Sequence, residues 1–146
     1  PGNDPSGVLG AIKYAFLKNR IGPDVIFDVK ESVAIQGNSG PYLQYAHARA
    51  CSIIGKSTVA AHLPESLEDA ERALVVKLTE YPEVLETAVS QLAPHLVCTY
   101  AYELTQVFNR FYEQSRIIGD PREAERQTIV QAYTAILKQA LSVLGI

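Results

Sequence analysis

From Ser66 to the C-terminus, apolar residues recur with a period near 3.6, interrupted at prolines and glycines, and that pattern fixes the fold class as all-α. Ala70, Leu74 and Leu78 share one face of a helix that Ser66 would cap, with Asp69 close to the capping-box position. Pro82 opens a short helix whose apolar side is Val84, Leu85, Ala88, Val89 and Leu92. Pro94 opens a long one in which Leu96, Tyr100, Leu104, Val107 and Phe111 fall in line. Gly119-Asp120-Pro121 breaks it, with Asp120 reading as an N-cap and Pro121 as the first helical residue. The last helix carries Ile129, Tyr133, Ile136, Ala140 and Leu144. Short loops between amphipathic helices predict an antiparallel bundle.

Turn signals crowd the first third. Ile12, Phe16 and Tyr14 with Leu17 fit helical spacing, with Lys13 and Lys18 off the apolar stripe, until Gly22-Pro23-Asp24 ends the unit. Val25 to Val29 is short enough to be either a strand or an extended tether. Gln36-Gly37-Asn38-Ser39-Gly40-Pro41 is the strongest loop signal, and Pro41 then suits the first turn of a helix running to Ile54 and stopping at Gly55.

The 146 residues suffice for one domain with a real core. No apolar run approaches the roughly 18 residues of a membrane span, and Pro1 to Pro5 lack the basic and apolar regions of a signal peptide. Cys51 and Cys98 sit in apolar helical contexts and read as reduced core thiols of a cytoplasmic protein. The three histidines, His47, His62 and His95, lack metal-ligand spacing, so no metal site is expected. A net charge of −3 does not suggest RNA, because free-standing nucleic-acid binders usually carry a basic excess.

One segment carries more information. On a helix, Tyr42, Tyr45 and Arg49 share a face beside an apolar side formed by Leu43, Ala46 and Ala50. Two aromatics and a guanidinium can stack unpaired bases and pair with phosphate, each stacked base contributing about 1–3 kcal/mol. The same face would equally serve as a domain interface, or hold ordinary half-buried tyrosines. Periodicity does not choose among these.

The string GNSGPYLQYAHARA resembles the segment after the catalytic domain in class I arginyl-tRNA synthetases, commonly G-N-T-x-P-Y-x-Q-Y-A-x-x-R, with Ser39 where threonine is usual. Upstream, GAIKYAFL and Val25-Ile26-Phe27-Asp28 resemble the end of that family's catalytic domain. Downstream, Ala73 to Leu78 with Tyr81-Pro82-Glu83-Val84, then Leu96 to Leu104 with Phe108 to Tyr112, resemble its DALR-type anticodon-binding domain.

The resemblance implies a C-terminal part of such an enzyme: residues 1–35 as a remnant of the α/β catalytic domain with its connector, and 36–146 as the helical anticodon-binding domain. Asn38, Ser39, Tyr42, Tyr45 and Arg49 are then expected to face the anticodon arm of tRNA-Arg, joined by Asn109 and Tyr112 from the long helix, while Gln44 and His47 fall on other faces. Partners are tRNA-Arg and the catalytic domain of the same chain, with no membrane. No catalytic residue is expected here, since HIGH-type and KMSK-type sequences are absent. The parent would be an arginine–tRNA ligase using ATP and Mg2+, with no cofactor bound by this part and no activity of its own. Without its catalytic partner, the stretch up to residue 35 is expected to be poorly anchored. The competing reading is a helical protein-interaction module without RNA binding.

Overall fold

A computed structural model describes residues 5–146, with side chains from residue 7 onward; Pro1 to Asp4, read above as carrying no leader, lie outside them. The described residues form seven helices and no strand: α1 (Pro5–Leu17), α2 (Val29–Ser32), α3 (Gly40–Lys56), α4 (Asp69–Thr79), α5 (Tyr81–Ser90), α6 (His95–Gln114) and α7 (Glu123–Val143). Residues 24–28 have no regular structure and are mostly exposed, which fits the tether rather than the strand.

Pairings between neighbours fix the helix directions. Lys77 reaches Glu103 at 2.6 Å, near one end of α4, while Asp69 and Ala70 at the other end share a cavity wall with Arg110 and Gln114, so α4 and α6 are antiparallel. Ser57, just past α3, bonds Glu123 at 2.6 Å, whereas His47 lies beside Thr134 and Lys138; α3 and α7 are therefore antiparallel too. The core gathers on α6, whose Val97, Tyr100, Ala101, Leu104, Phe108 and Phe111 are buried. Against it, α7 stacks Tyr133 on Phe108 with ring centroids 3.8 Å apart.

Helix starts differ from the simplest reading. The cap of α4 is Glu68, not Ser66, in a capping box with Glu71. Glu71 is wholly buried and accepts from both Arg122 and Arg126, which drags the helix start to where those pairs form. Likewise α7 begins at Glu123 rather than Pro121, because Asp120 commits its carboxylate to the Arg122 amide at 2.9 Å and to Arg126 at 3.3 Å. Cys98 is buried as expected, but Cys51 is exposed.

The stretch expected to be poorly anchored divides: residues 20–31 are mostly exposed, whereas the N-terminal helix packs on the bundle. Its buried face is Ala11, Tyr14 and Ala15 rather than Ile12 and Phe16, which are exposed. Tyr14 donates to the Asn38 side chain at 2.5 Å and lies 3.2 Å from the carbonyl of Cys98, and Lys13 donates to the Gly145 carbonyl at 2.9 Å. Small residues permit this crossing: a Cβ on Gly40 would meet the Gly10 carbonyl oxygen at 3.0 Å and the Tyr14 Cβ at 3.1 Å. Gly40→Ala is therefore expected to destabilise by about 1–3 kcal/mol through overpacking, read as a lower urea midpoint.

Candidate nucleic-acid interface

The sequence-predicted residues divide into two groups. Asn38 and Ser39 build the start of α3. Ser39 is buried; its hydroxyl accepts from the Tyr42 amide at 3.2 Å as the N-cap and donates to the Ala34 carbonyl. Asn38 takes the Tyr14 hydroxyl on its side chain, and its carbonyl accepts from Lys18 at 3.2 Å. The Ser39 hydroxyl is thus committed to protein partners and buried, while Asn38 commits its side-chain oxygen and is half-buried. Their part is to set where α3 begins and hence which way Tyr42, Tyr45 and Arg49 point.

Four of the other five meet where α3 crosses α6, and the fifth, Tyr112, lies beside them under Arg49. Tyr42, Tyr45, Ala46, Arg49 and Asn109, with Ile35 and Gln36 from the preceding loop, line an open cleft of about 280 Å³. Tyr45 stands at its edge, 55% exposed. Inside, the Arg49 guanidinium donates to the Asn109 side-chain oxygen, and the Asn109 amide donates to the Tyr42 hydroxyl at 2.8 Å. Arg49 also lies over the Tyr112 ring, 5.1 Å from its centroid, a cation–π contact of about 0.5–2 kcal/mol. Tyr112 also packs against Phe108 and remains partly exposed.

The electrostatics suit a neutral, donor-bearing wall. Burial pushes the Tyr42 hydroxyl up from its ordinary range, with Tyr102 adding to the rise and Arg49 and Asn109 opposing it, so Tyr42 keeps its proton at neutral pH. Arg49 is the positively charged side chain lining the cleft, and the His47 imidazole, lowered by burial and by the Lys138 ammonium, lies away from it. His47 faces α7, as the helical wheel predicts, and the Gln44 amide lies against Gly10 of α1.

Sequence reasoning missed Tyr102, whose ring tilts against Tyr42 with centroids 5.9 Å apart. A signal was available, since Tyr102 and Asn109 are two turns apart on α6 and must share a face. Ile35 and Gln36 carried no comparable signal. Among the described residues no three His, Cys, Asp or Glu side chains converge to hold a metal, and no helix is long and apolar enough to cross a membrane.

Residues 43–146 match the family model of the DALR anticodon binding domain. The chain belongs to that family. The DALR match covers α4 to α7 and all but the first turn of α3, and so takes in Tyr45, Arg49, Asn109 and Tyr112. This DALR chain is also 38% identical over 146 residues to the arginine–tRNA ligase of Mannheimia succiniciproducens, covering 94% of its own length and 25% of that protein. It is 40% identical over 144 residues to the corresponding ligase of Methanocorpusculum labreanum, covering 94% of itself and 26% of the relative. Among solved structures, Thermus thermophilus arginyl-tRNA synthetase superposes with a TM-score of 0.90 at 28% identity, over 97% of this chain and 26% of that one. The DALR chain therefore spans about a quarter of the length of the relatives it matches. Its all-helical architecture agrees with theirs and with the fold class read from sequence.

Proposed function

We propose that this chain is the anticodon-recognising part of an arginine–tRNA ligase, and that the cleft between α3 and α6 holds the anticodon arm of tRNA-Arg. One observation carries the reading: Tyr42, Tyr45, Arg49 and Asn109, drawn from two distant stretches of sequence, meet in one cleft, with Tyr112 beneath Arg49, in a domain whose family is described by anticodon binding. Exposed Tyr45 supplies a stacking face, Arg49 a cation held by its neighbours, and Tyr42 a hydroxyl at the cleft wall. Binding there would position the distant acceptor end at a catalytic site elsewhere in the parent, so that recognition energy serves the reaction.

Arginine activation with ATP and Mg2+ belongs, on this reading, to the remaining three quarters of the parent, a cytoplasmic enzyme. The catalytic part would dock on the outward face of α1, where Val8, Leu9, Ile12 and Phe16 are exposed and Phe27 stacks on Phe16 at 5.7 Å.

A net charge of −3 gives this chain no basic excess for holding phosphates in general, and on this reading the selectivity comes from the cleft. The test is binding of the parent chain to tRNA-Arg and to one non-cognate tRNA at low and physiological salt. Preference for tRNA-Arg that persists as salt rises supports the reading. Equal, weak binding to both at either salt contradicts it and favours a protein-interaction surface.

A further inference from the structure

The hydrogen-bond chain in the cleft has a direction that its chemistry forces. A guanidinium only donates, so the Asn109 atom facing Arg49 must be the carbonyl oxygen. The Asn109 amide nitrogen is thereby turned to Tyr42, and the Tyr42 hydroxyl oxygen can only accept from it, at 2.8 Å. The Tyr42 proton then has to leave the oxygen in another direction. Among the described residues no acceptor takes it, and Tyr42 lines the open cleft. Arg49 likewise has donors left over, its Nε among them, buried without a partner. Asn109 thus spends its oxygen on Arg49 and one amide hydrogen on Tyr42.

We infer that Asn109 is a positioning residue: it fixes the Tyr42 hydroxyl as a donor and holds Arg49 over Tyr112, so the cleft selects a nucleotide group rich in hydrogen-bond acceptors. Base carbonyls, unprotonated ring nitrogens and phosphate oxygens meet that requirement; an exocyclic amino group, which would point donor at donor, does not. This gives Asn109 a role beyond the direct contact expected from sequence, and it rests on the cleft being the anticodon site.

Asn109→Asp tests the polarity. A carboxylate still accepts from Arg49 but cannot donate to Tyr42, and it takes the Tyr42 proton for itself. In the full-length chain, binding of an RNA hairpin bearing the anticodon loop of tRNA-Arg is measured for the wild type, Asn109→Asp, Tyr42→Phe and the double variant. Asn109→Asp is expected to weaken binding about tenfold in the wild-type background, the scale of one hydrogen bond to a polar partner. In the Tyr42→Phe background the same substitution is expected to cost less than about twofold, because the proton it redirects is gone. Equal losses in both backgrounds, or no loss in either, would overturn the inference, since Asn109 would then act on its own or not at all. If Asn109→Asp does not fold, Asn109→Leu replaces it, with the same non-additivity expected. Hairpins carrying a single abasic site or a single methylphosphonate tell base from phosphate. The modification whose penalty disappears in the Tyr42→Phe variant names the acceptor, and a penalty that never depends on Tyr42 again counts against the inference. Failure of the anticodon reading is separately visible: Tyr42→Phe and Arg49→Ala would both bind the hairpin as the wild type does.

Discussion

Glu71→Ala is expected to lower the stability of the helical bundle by about 3–5 kcal/mol, the usual cost of removing one partner of a buried ion pair. Glu71 is wholly inaccessible and accepts from Arg122 at 2.6 and 3.0 Å, from Arg126 at 2.9 Å and from the Glu68 amide at 3.0 Å. Arg126 is itself buried, with its remaining donors on the Arg116 carbonyl at 2.5 Å and on Glu68 at 2.9 Å. Alanine would leave that guanidinium in the interior without its main counter-charge. The network ties the start of α4 to the start of α7, so the loss should appear as a cooperative drop in the urea midpoint rather than as fraying of one end.

The same carboxylate sets an acid limit. Burial by itself raises its pKa, but the hydrogen bonds from Arg122 and Arg126 outweigh burial and hold it at about 2, below the ordinary 4.5. A depressed folded-state value means that the stabilisation is complete above the unfolded pKa and is lost as pH falls from about 4.5 through about 2. Wild-type stability should therefore fall across that window more steeply than that of Glu71→Gln, measured by urea unfolding at a series of pH values. Parallel curves for the two proteins would show that Glu71 is not the group responsible.

Arg49→Ala is expected to weaken binding of the anticodon arm by about 1–3 kcal/mol, measured in the parent chain by equilibrium titration. It removes the positive charge lining the cleft and also the group that orients Asn109 and covers Tyr112. Tyr45→Ala should cost a similar amount by a different route, loss of a stacking face. Tyr45 is largely exposed and makes no side-chain hydrogen bond within the described residues, so its variant should unfold like the wild type. Unchanged affinity in both variants would remove the cleft from consideration.

The helices of the second half were legible because burial dictates their pattern. Leu74, Leu78, Tyr100, Leu104, Phe111, Ile129, Tyr133 and Ala140 are all buried where the periodicity puts them, whereas in the short α5 only Ala88 of the expected stripe is buried and Val89 and Leu92 are exposed. Helix ends were less legible, and the reason is tertiary. Glu68 displaces Ser66 and Glu123 displaces Pro121 because Glu71, Arg122 and Arg126 pair across 51 and more residues, which no local window contains. In α1 the apolar stripe misled: the close crossing at Gly10 and Gly40 selects the small face with Tyr14, and the larger Ile12 and Phe16 are left outside. That choice makes sense if a further part of the parent covers them.

The site was legible in its members more than in its wiring. Tyr42, Tyr45 and Arg49 share a face by helical geometry alone, and Asn109 and Tyr112 entered through resemblance. That Asn109 bonds to both Arg49 and Tyr42 depends on how α3 crosses α6, and the crossing is invisible until the two helices are packed. Asn38 and Ser39 illustrate the converse. Their sequence context marks them as important, but the structure engages them in holding Tyr14 and starting α3.

The most direct test of the central claim compares tRNA-Arg with the same tRNA carrying a foreign anticodon loop, each titrated against the wild-type parent chain and against a Tyr45→Ala/Arg49→Ala double variant. The account predicts that the wild type binds the native loop at least about tenfold more tightly, on the scale of one or two lost base contacts, and that the double variant loses this preference. Equal affinity of the wild type for both loops, or a preference that survives in the double variant, would contradict the placement of anticodon recognition in the α3–α6 cleft.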